Sequence, residues 1–279
     1  MDNLFIKSFL CGPSDKFDII KKTIQYGAHV AHFDIEDSIP LRNKQKVRRS
    51  IITQLLQKPN VLTAVRINAI NTKEGLEDIM AFIHNKITPD IIIIPKVEYL
   101  DQVKLISDIL RDQSGKIKIF CIIESIKGIR TLDRISHYKD HIDGLIFGAA
   151  DFSKDINKIP GTLNLSYVKS QIVMAAHEIG AMAVDSPCFN IKNSNILKDE
   201  LTEAVKLGFH AKIAIHPCQI SLINQMMNPS EEEIDFARQI IAKMEPHKKE
   251  TGIVSIQGTM IGMPFLNIAK AIIRSKNEL

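Results

Sequence analysis

The chain has 279 residues, 45% of them hydrophobic and 24% charged, with 36 basic against 32 acidic side chains and a formal net charge of +4. That composition is globular, and it excludes a disordered, fibrous or membrane-spanning chain, since no apolar run approaches the roughly 18–20 residues that cross a bilayer. The even charge and the absence of Trp argue against a dedicated nucleic-acid binder, which needs a basic face or a stacking platform.

In chain order, short β-rich apolar runs alternate with longer amphipathic stretches. Strands are expected at Ser8–Pro13, His29–Asp37, Val61–Asn68, Asp90–Val97, Ile117–Glu124, Asp143–Asp151, Ala181–Phe189 and Ala211–Pro217. Helices are expected between them, at Asp15–Gly27, Lys44–Lys58, Lys73–Lys86, Tyr99–Ser114, Lys127–Tyr138, Ser166–Gly180 and Ser194–Gly208. Gly27, Gly180 and Gly208 stand where helix C-caps belong. Runs such as Ile91-Ile92-Ile93-Ile94 are apolar on both faces, as strands of a helix-covered parallel sheet are. Eight such units fit an α/β fold of the TIM (β/α)₈ barrel type; a doubly wound open sheet is the alternative. The barrel is placed at residues 1–244. Ser230 with Glu233 reads as a capping box opening one more helix, and residues 245–279 as a short C-terminal helical extension ending in a helix near Phe265–Arg274.

Met1–Asp18 carries Asp2, Lys7, Asp15, Lys16 and Asp18, so it does not read as a secretory signal. Cys11, Cys121, Cys188 and Cys218 are widely spaced without a CxxC, as in a cytoplasmic protein with reduced thiols. Polar residues fall on one rim. The C-terminal ends of the expected strands carry Glu36 and Asp37, Arg66 and Asn68, Lys96 and Glu98, Glu124, Asp151, Asp185 and His216. Catalytic groups of a barrel lie at that end. Glu124 and Asp151 suit Mg²⁺, which takes one or two carboxylates and keeps waters for exchange with substrate oxygens. Arg66 suits a carboxylate. Gly148, Ala149 and Ala150 let a ligand approach the backbone. A cation beside a guanidinium suits a 2-oxo acid and the making or breaking of a C–C bond next to its carbonyl.

The segments Phe33–Pro40 with Lys44 and Arg48, Val65–Asn68, Pro95–Glu98, Ile123–Ser125, Phe147–Phe152 and Ala214–Pro217 with Gln219-Ile220 occur in the order of a known family's motifs. From Lys7 to about Ala242 the chain resembles the citrate lyase β-subunit-like branch of the HpcH/HpaI aldolase superfamily. The resemblance implies a TIM barrel, usually trimeric, that binds Mg²⁺ and cleaves or forms 3-hydroxy-acyl thioesters such as citryl, malyl or citramalyl compounds. It implies that Glu124 and Asp151 hold the metal, that Arg66 binds the oxo acid, and that Glu36 and Asp37 organise metal-bound waters. Lys96 is then a nearby charge and not a Schiff-base lysine. The implied partners are a 2-oxo acid and an acyl-CoA or acyl-carrier thioester.

The chain departs from the family where Lys7-Ser8 stands for Arg-Ser, and where Gln257–Pro264 stands for Asp-Gly-x-Met-Ile-Asp-x-Pro. Gly262 occupies the position of the second Asp, a lid acid that transfers a proton in malyl- and citramalyl-thioester lyases. The alternatives are therefore a hydroxy-acyl thioester hydrolase, a free-acid aldolase, or a non-catalytic oxo-acid-binding homologue. Arg42, Lys44, Lys46, Arg48 and Arg49 read either as a solvated helix face or as a contact for coenzyme A phosphates. His137 and His141 read as a surface pair on the far rim, and His216 as a turn residue or a substrate contact.

Overall fold

Isoleucines 91–94 have no polar face to offer water, and all four are buried in a strand. The computed structural model describes residues 6–14, 18–114, 117–159, 161–245, 253–256 and 258–277. The chain alternates through β1 (Ser8–Pro13), α1 (Ile19–Tyr26), β2 (Val30–Asp34), α2 (Leu41–Leu56), β3 (Leu62–Arg66), α3 (Lys73–Asn85), β4 (Ile91–Ile94) and α4 (Leu100–Ser114). There follow β5 (Lys118–Ile123), α5 (Ile126–Thr131) with a 3₁₀ turn Leu132–Tyr138, β6 (Gly144–Phe147), α6 (Ala149–Asp155), α7 (Ser166–Ile179), β7 (Met182–Asp185), α8 (Ser194–Leu207), β8 (Ala211–Ala214) and α9 (Ile220–Met226). The eight strands are parallel and close into a barrel, β1 pairing with both β2 and β8. The open-sheet alternative is thereby excluded.

Phe9 of β1 and Phe120 of β5 meet with ring centroids 6.0 Å apart. Those strands lie on opposite sides of the ring, so the contact fixes both side chains in the barrel interior. The packed interior leaves the chemistry to the loops at the C-terminal mouth. Gly27, Gly180 and Gly208 close their helices at φ 71°, 68° and 94°, the left-handed backbone that glycine reaches without a Cβ clash.

The expected helix start at Asp15 lies outside the described residues; among these, α1 runs from Ile19, capped by Asp18 on the Lys21 N–H. Two expectations need correction. The single helix expected over Lys127–Tyr138 is a short α-helix followed by the 3₁₀ turn. The sixth strand ends at Phe147, not at Asp151; Ala149-Ala150-Asp151 open α6 instead. Alanine is a strong helix former, and the Gly148 carbonyl already accepts the Phe152 N–H at 3.1 Å.

Residues 6–225 form one compact unit, and residues from 226 onward belong to a second. The second unit holds α10 (Glu231–Met244), a hairpin of β9 (Val254–Ile256) and β10 (Thr259–Ile261), and α11 (Met263–Asn277). Ser230 and Glu233 form the expected capping box. Ile240, Met244, Ile261 and Leu266 share its core. Gly262 sits between β10 and α11, its carbonyl accepting the Phe265 N–H; Gln257 lies outside the described residues. Among the described residues, no helix is long and apolar enough to cross a membrane.

Candidate functional site

Strand parity aims Asp34, the last residue of β2, at Arg66, the last of β3, and the two are partners in the ladder register. Arg66 Nε and Nη2 donate to the two Asp34 oxygens at 2.8 and 2.7 Å, a bidentate pair. Burial alone would raise the Asp34 carboxyl, but the Arg66 charge and hydrogen bonds from Arg66, Ser38 and the Glu36 N–H bring it down to about 2. The Asp34 oxygen that takes the Glu36 N–H folds the chain back, so that the Glu36 carboxylate also faces Arg66, 3.1 Å from Nη1. Three of the five guanidinium N–H groups are thus engaged within the protein, leaving one on each Nη for a ligand.

Lys96 follows β4 at φ 54°, a backbone region that residues with a Cβ visit sparsely. That turn sets its N–H 2.6 Å from Glu124 Oε1, while Nζ reaches Glu36 and, at 3.3 Å, Asp37. Burial would lower the Lys96 amine, but the bond to Glu36 and the charges of Glu36 and Asp37 raise it well above its ordinary value. The amine stays protonated, which leaves it no lone pair for a Schiff base. Burial raises Glu36 above its ordinary value despite Arg66 and Lys96.

Glu124 follows β5 and is 5% exposed. Burial, with the charges of Asp151 and Glu36 added, pushes its carboxyl up to about 7 against the hydrogen bond from Lys96. Gly148 makes the placement feasible, because a Cβ there would come within 2.5 Å of both Glu124 Cβ and Oε2. Asp151, in the first turn of α6, is half-buried. Glu124, Asp151 and Asp37 line two adjoining cavities at the mouth, of about 680 and 240 Å³. The larger also holds Glu36, Lys44, Lys96 and Glu98; the smaller holds Arg66, Gly148, Ala149 and Ala150. No cluster of three or more His, Cys, Asp and Glu side chains suited to a metal occurs among the described residues. Two carboxylates that line the same cavities, one of them raised chiefly by burial and further by the other's charge, do fit a hard cation that retains most of its waters.

Of the expected site residues, Glu36, Asp37, Arg66, Lys96, Glu124, Gly148, Ala149, Ala150 and Asp151 come together here. Asp185 does not. It is wholly buried beside Lys212 at 2.6 Å and Lys169 of α7 at 3.4 Å, with Glu200 of α8 completing the pairing of Lys212. It ties the barrel to its helices. His216 is exposed and caps the 3₁₀ turn Pro217–Gln219, which is the structural role. His141 pairs with Asp108 on the far rim. The basic run divides. Arg42, Lys46 and Arg49 are exposed, Lys44 turns to the Glu36 carbonyl and Asn68, and Arg48 is buried against Asp78, Glu77 and Glu74.

Sequence reasoning missed Asp34 as the anchor of Arg66, and Asp78, which holds both the Asn68 N–H and side chain at 2.8 and 2.7 Å. Alternation in β2 was a signal for Asp34, since a carboxylate two residues after another inward side chain must find a cation. Asp78 had no such signal, because its partners lie 10 and 30 residues away.

The family model described as HpcH/HpaI aldolase/citrate lyase matches residues 7–217. The citrate lyase subunit beta of Escherichia coli K12 is 28% identical to this chain, over 98% of this chain and 93% of its own length. The mitochondrial citramalyl-CoA lyase of Homo sapiens is 25% identical, over 95% of this chain and 83% of its own length. A structure of CitE from Mycobacterium tuberculosis in complex with magnesium, acetoacetate and coenzyme A matches at TM-score 0.80 and 24% identity, covering 98% of each chain. At that identity the likeness is one of fold.

Proposed function

The chain belongs to the HpcH/HpaI aldolase/citrate lyase family, and from that premise we propose that it is a Mg²⁺-dependent carbon–carbon lyase. Its substrate is a 3-hydroxy-acyl thioester of coenzyme A or an acyl carrier, split into a 2-oxo acid and a shorter acyl thioester. The observation that carries this reading is that Glu124, Asp151 and Arg66 line one cavity. The relatives with lyase names support it.

Glu124 and Asp151 would hold the Mg²⁺, with waters completing its shell. When bound, the cation polarises the oxo-acid carbonyl and stabilises negative charge on its oxygen. Arg66 orients the acid's carboxylate through its two remaining N–H groups. Lys96 joins the Glu36 and Asp37 carboxyl groups, whose oxygens would accept hydrogen bonds from ordered water. The small residues 148–150 admit substrate against the backbone. In the cleavage direction the 3-hydroxyl passes its proton to a carboxylate or water at the barrel mouth, its C–O bond becomes the carbonyl of the 2-oxo acid, and the bond between that carbon and the thioester α-carbon breaks. The bonding pair passes to the thioester α-carbon, which then takes up a proton. Gly262 supplies no acid, so that proton comes from a barrel group or from water. A homotrimeric state and a cytoplasmic location belong to the same proposal.

The test is incubation with citramalyl-, malyl- and citryl-CoA plus Mg²⁺, following oxo acid, acyl thioester and free CoA separately. Oxo acid with acyl thioester is the expected outcome. Free CoA without oxo acid would mean a hydrolase, and binding without products a non-catalytic homologue, the reading that Gly262 favours.

A further inference from the structure

Glu124 and Asp151 stand on separate elements, and what fixes one against the other is a question of backbone. Glu124 lies between β5 and α5, and Asp151 lies in the first turn of α6, a helix of seven residues. A helix that short is marginal by itself, so its placement depends on what ties it down. One tie is at its start, where the Gly148 N–H donates to the Ile123 carbonyl at 3.1 Å. Phe152 adds packing on its buried side, its ring centroid 5.9 Å from that of Phe147. Another tie is at its far end. Asp155, one helical turn beyond Asp151 and so on the same face, accepts the Ile126 N–H on Oδ2 at 2.8 Å. Ile126 is the first residue of α5, where N–H groups have no partner within the helix. The Ser125 hydroxyl does not serve it, because that oxygen takes the Gly128 N–H at 3.0 Å. The two hydrogen bonds bracket both carboxylates. Ile123 and Ile126 flank Glu124 in the chain, and Gly148 and Asp155 flank Asp151. Asp155 itself is exposed and lines the larger cavity with both of them.

We propose that Asp155 is a positioning residue: its hydrogen bond to the Ile126 N–H holds α6 against the start of α5, sets Asp151 relative to Glu124, and thereby sets the affinity of the barrel mouth for Mg²⁺. The inference rests on the reading that Glu124 and Asp151 hold the cation. Asp155 acts through the backbone of α5 and not as a third ligand, since no metal-suited cluster of three such side chains occurs among the described residues. What the role requires of residue 155 is an acceptor oxygen at that place, not a charge.

Calorimetric titration of the full chain with Mg²⁺ alone tests it, through variants at both ends of the bond. Asp155→Ala should weaken Mg²⁺ binding about tenfold or more, as loss of an outer support does. Asp155→Asn keeps an acceptor oxygen without the charge, and should retain most of the affinity. Ile126→Pro removes the donor. Proline suits a first helical position, and Ser125 before it is extended at φ −144° and ψ 160°, so α5 tolerates the change. Ile126→Pro should reproduce the loss seen in Asp155→Ala, and the double variant should lose no more than either alone, because both remove the same bond. Where Asp155→Ala fails to fold, the Asn and Pro variants still decide. Unchanged affinity in Asp155→Ala or Ile126→Pro, additive losses in the double variant, or an Asp155→Asn as weak as Asp155→Ala would overturn the positioning role and leave the metal site standing. An intact protein that takes up no Mg²⁺ would sink the metal reading and this inference with it.

Discussion

Gly148 shows how one missing Cβ shapes the candidate site. The space that it leaves is filled by Glu124, so Gly148→Ala must push the carboxylate aside. The expected result is a loss of Mg²⁺ affinity of about 10–100-fold, the range for a displaced supporting group, measured by titration calorimetry. Asp34 makes the complementary point about charge. Its carboxyl lies near 3.8 in the unfolded chain and about 2 in the fold. The lowered value contributes stability that is fully present above about pH 4 and lost as pH falls through 2, about 2 kcal/mol in all. Urea unfolding should show this slope, and Asp34→Asn should be less stable at pH 7 and flatter between pH 4 and 2.

Pairs of elements carry the support beneath those residues. Arg48 of α2 donates to Asp78 of α3 at 2.7 Å and also reaches Glu74 and Glu77. Asp78 in turn fixes Asn68, which receives Lys44 at the cavity edge. Removing Arg48 leaves Asp78, 1% exposed, as an uncompensated charge. Arg48→Met should therefore cost about 3–5 kcal/mol in denaturant unfolding, whereas Arg49→Met, on the exposed side of the same helix, should cost under about 0.5 kcal/mol. A basic run of five residues looks uniform in sequence. The helical period alone divides it, turning Arg48 to α3 and Arg49 to water. The helix α6 was hidden for a related reason. Leu145–Phe147 and the small residues after it form one apolar stretch, and only the Gly148 carbonyl accepting from Phe152 marks where strand becomes helix.

At the scale of the whole molecule, a ligand that binds only the folded barrel stabilises it by mass action. At a hundredfold excess over its dissociation constant, Mg²⁺ should add about 2.7 kcal/mol, roughly 5–10 °C in melting temperature for a unit of this size. Glu124→Ala with Asp151→Ala should abolish the shift in a thermal scan. A melt that ignored Mg²⁺ and oxo acid alike would remove the support for the metal reading. Alternating periods, glycine caps and the apolar isoleucine run made the eight βα units legible from sequence, because each is a local property of backbone and solvent. They also assigned the charged residues to one rim, since strand ends are local too. What only the tertiary structure decided is which of those charges meet. Barrel closure brings Glu36, Arg66, Lys96 and Glu124 from four strands to one mouth, and it turns Asp185 away to Lys212. A pairing across 20 to 90 residues depends on register and facing, and neither is written in any single stretch of the chain.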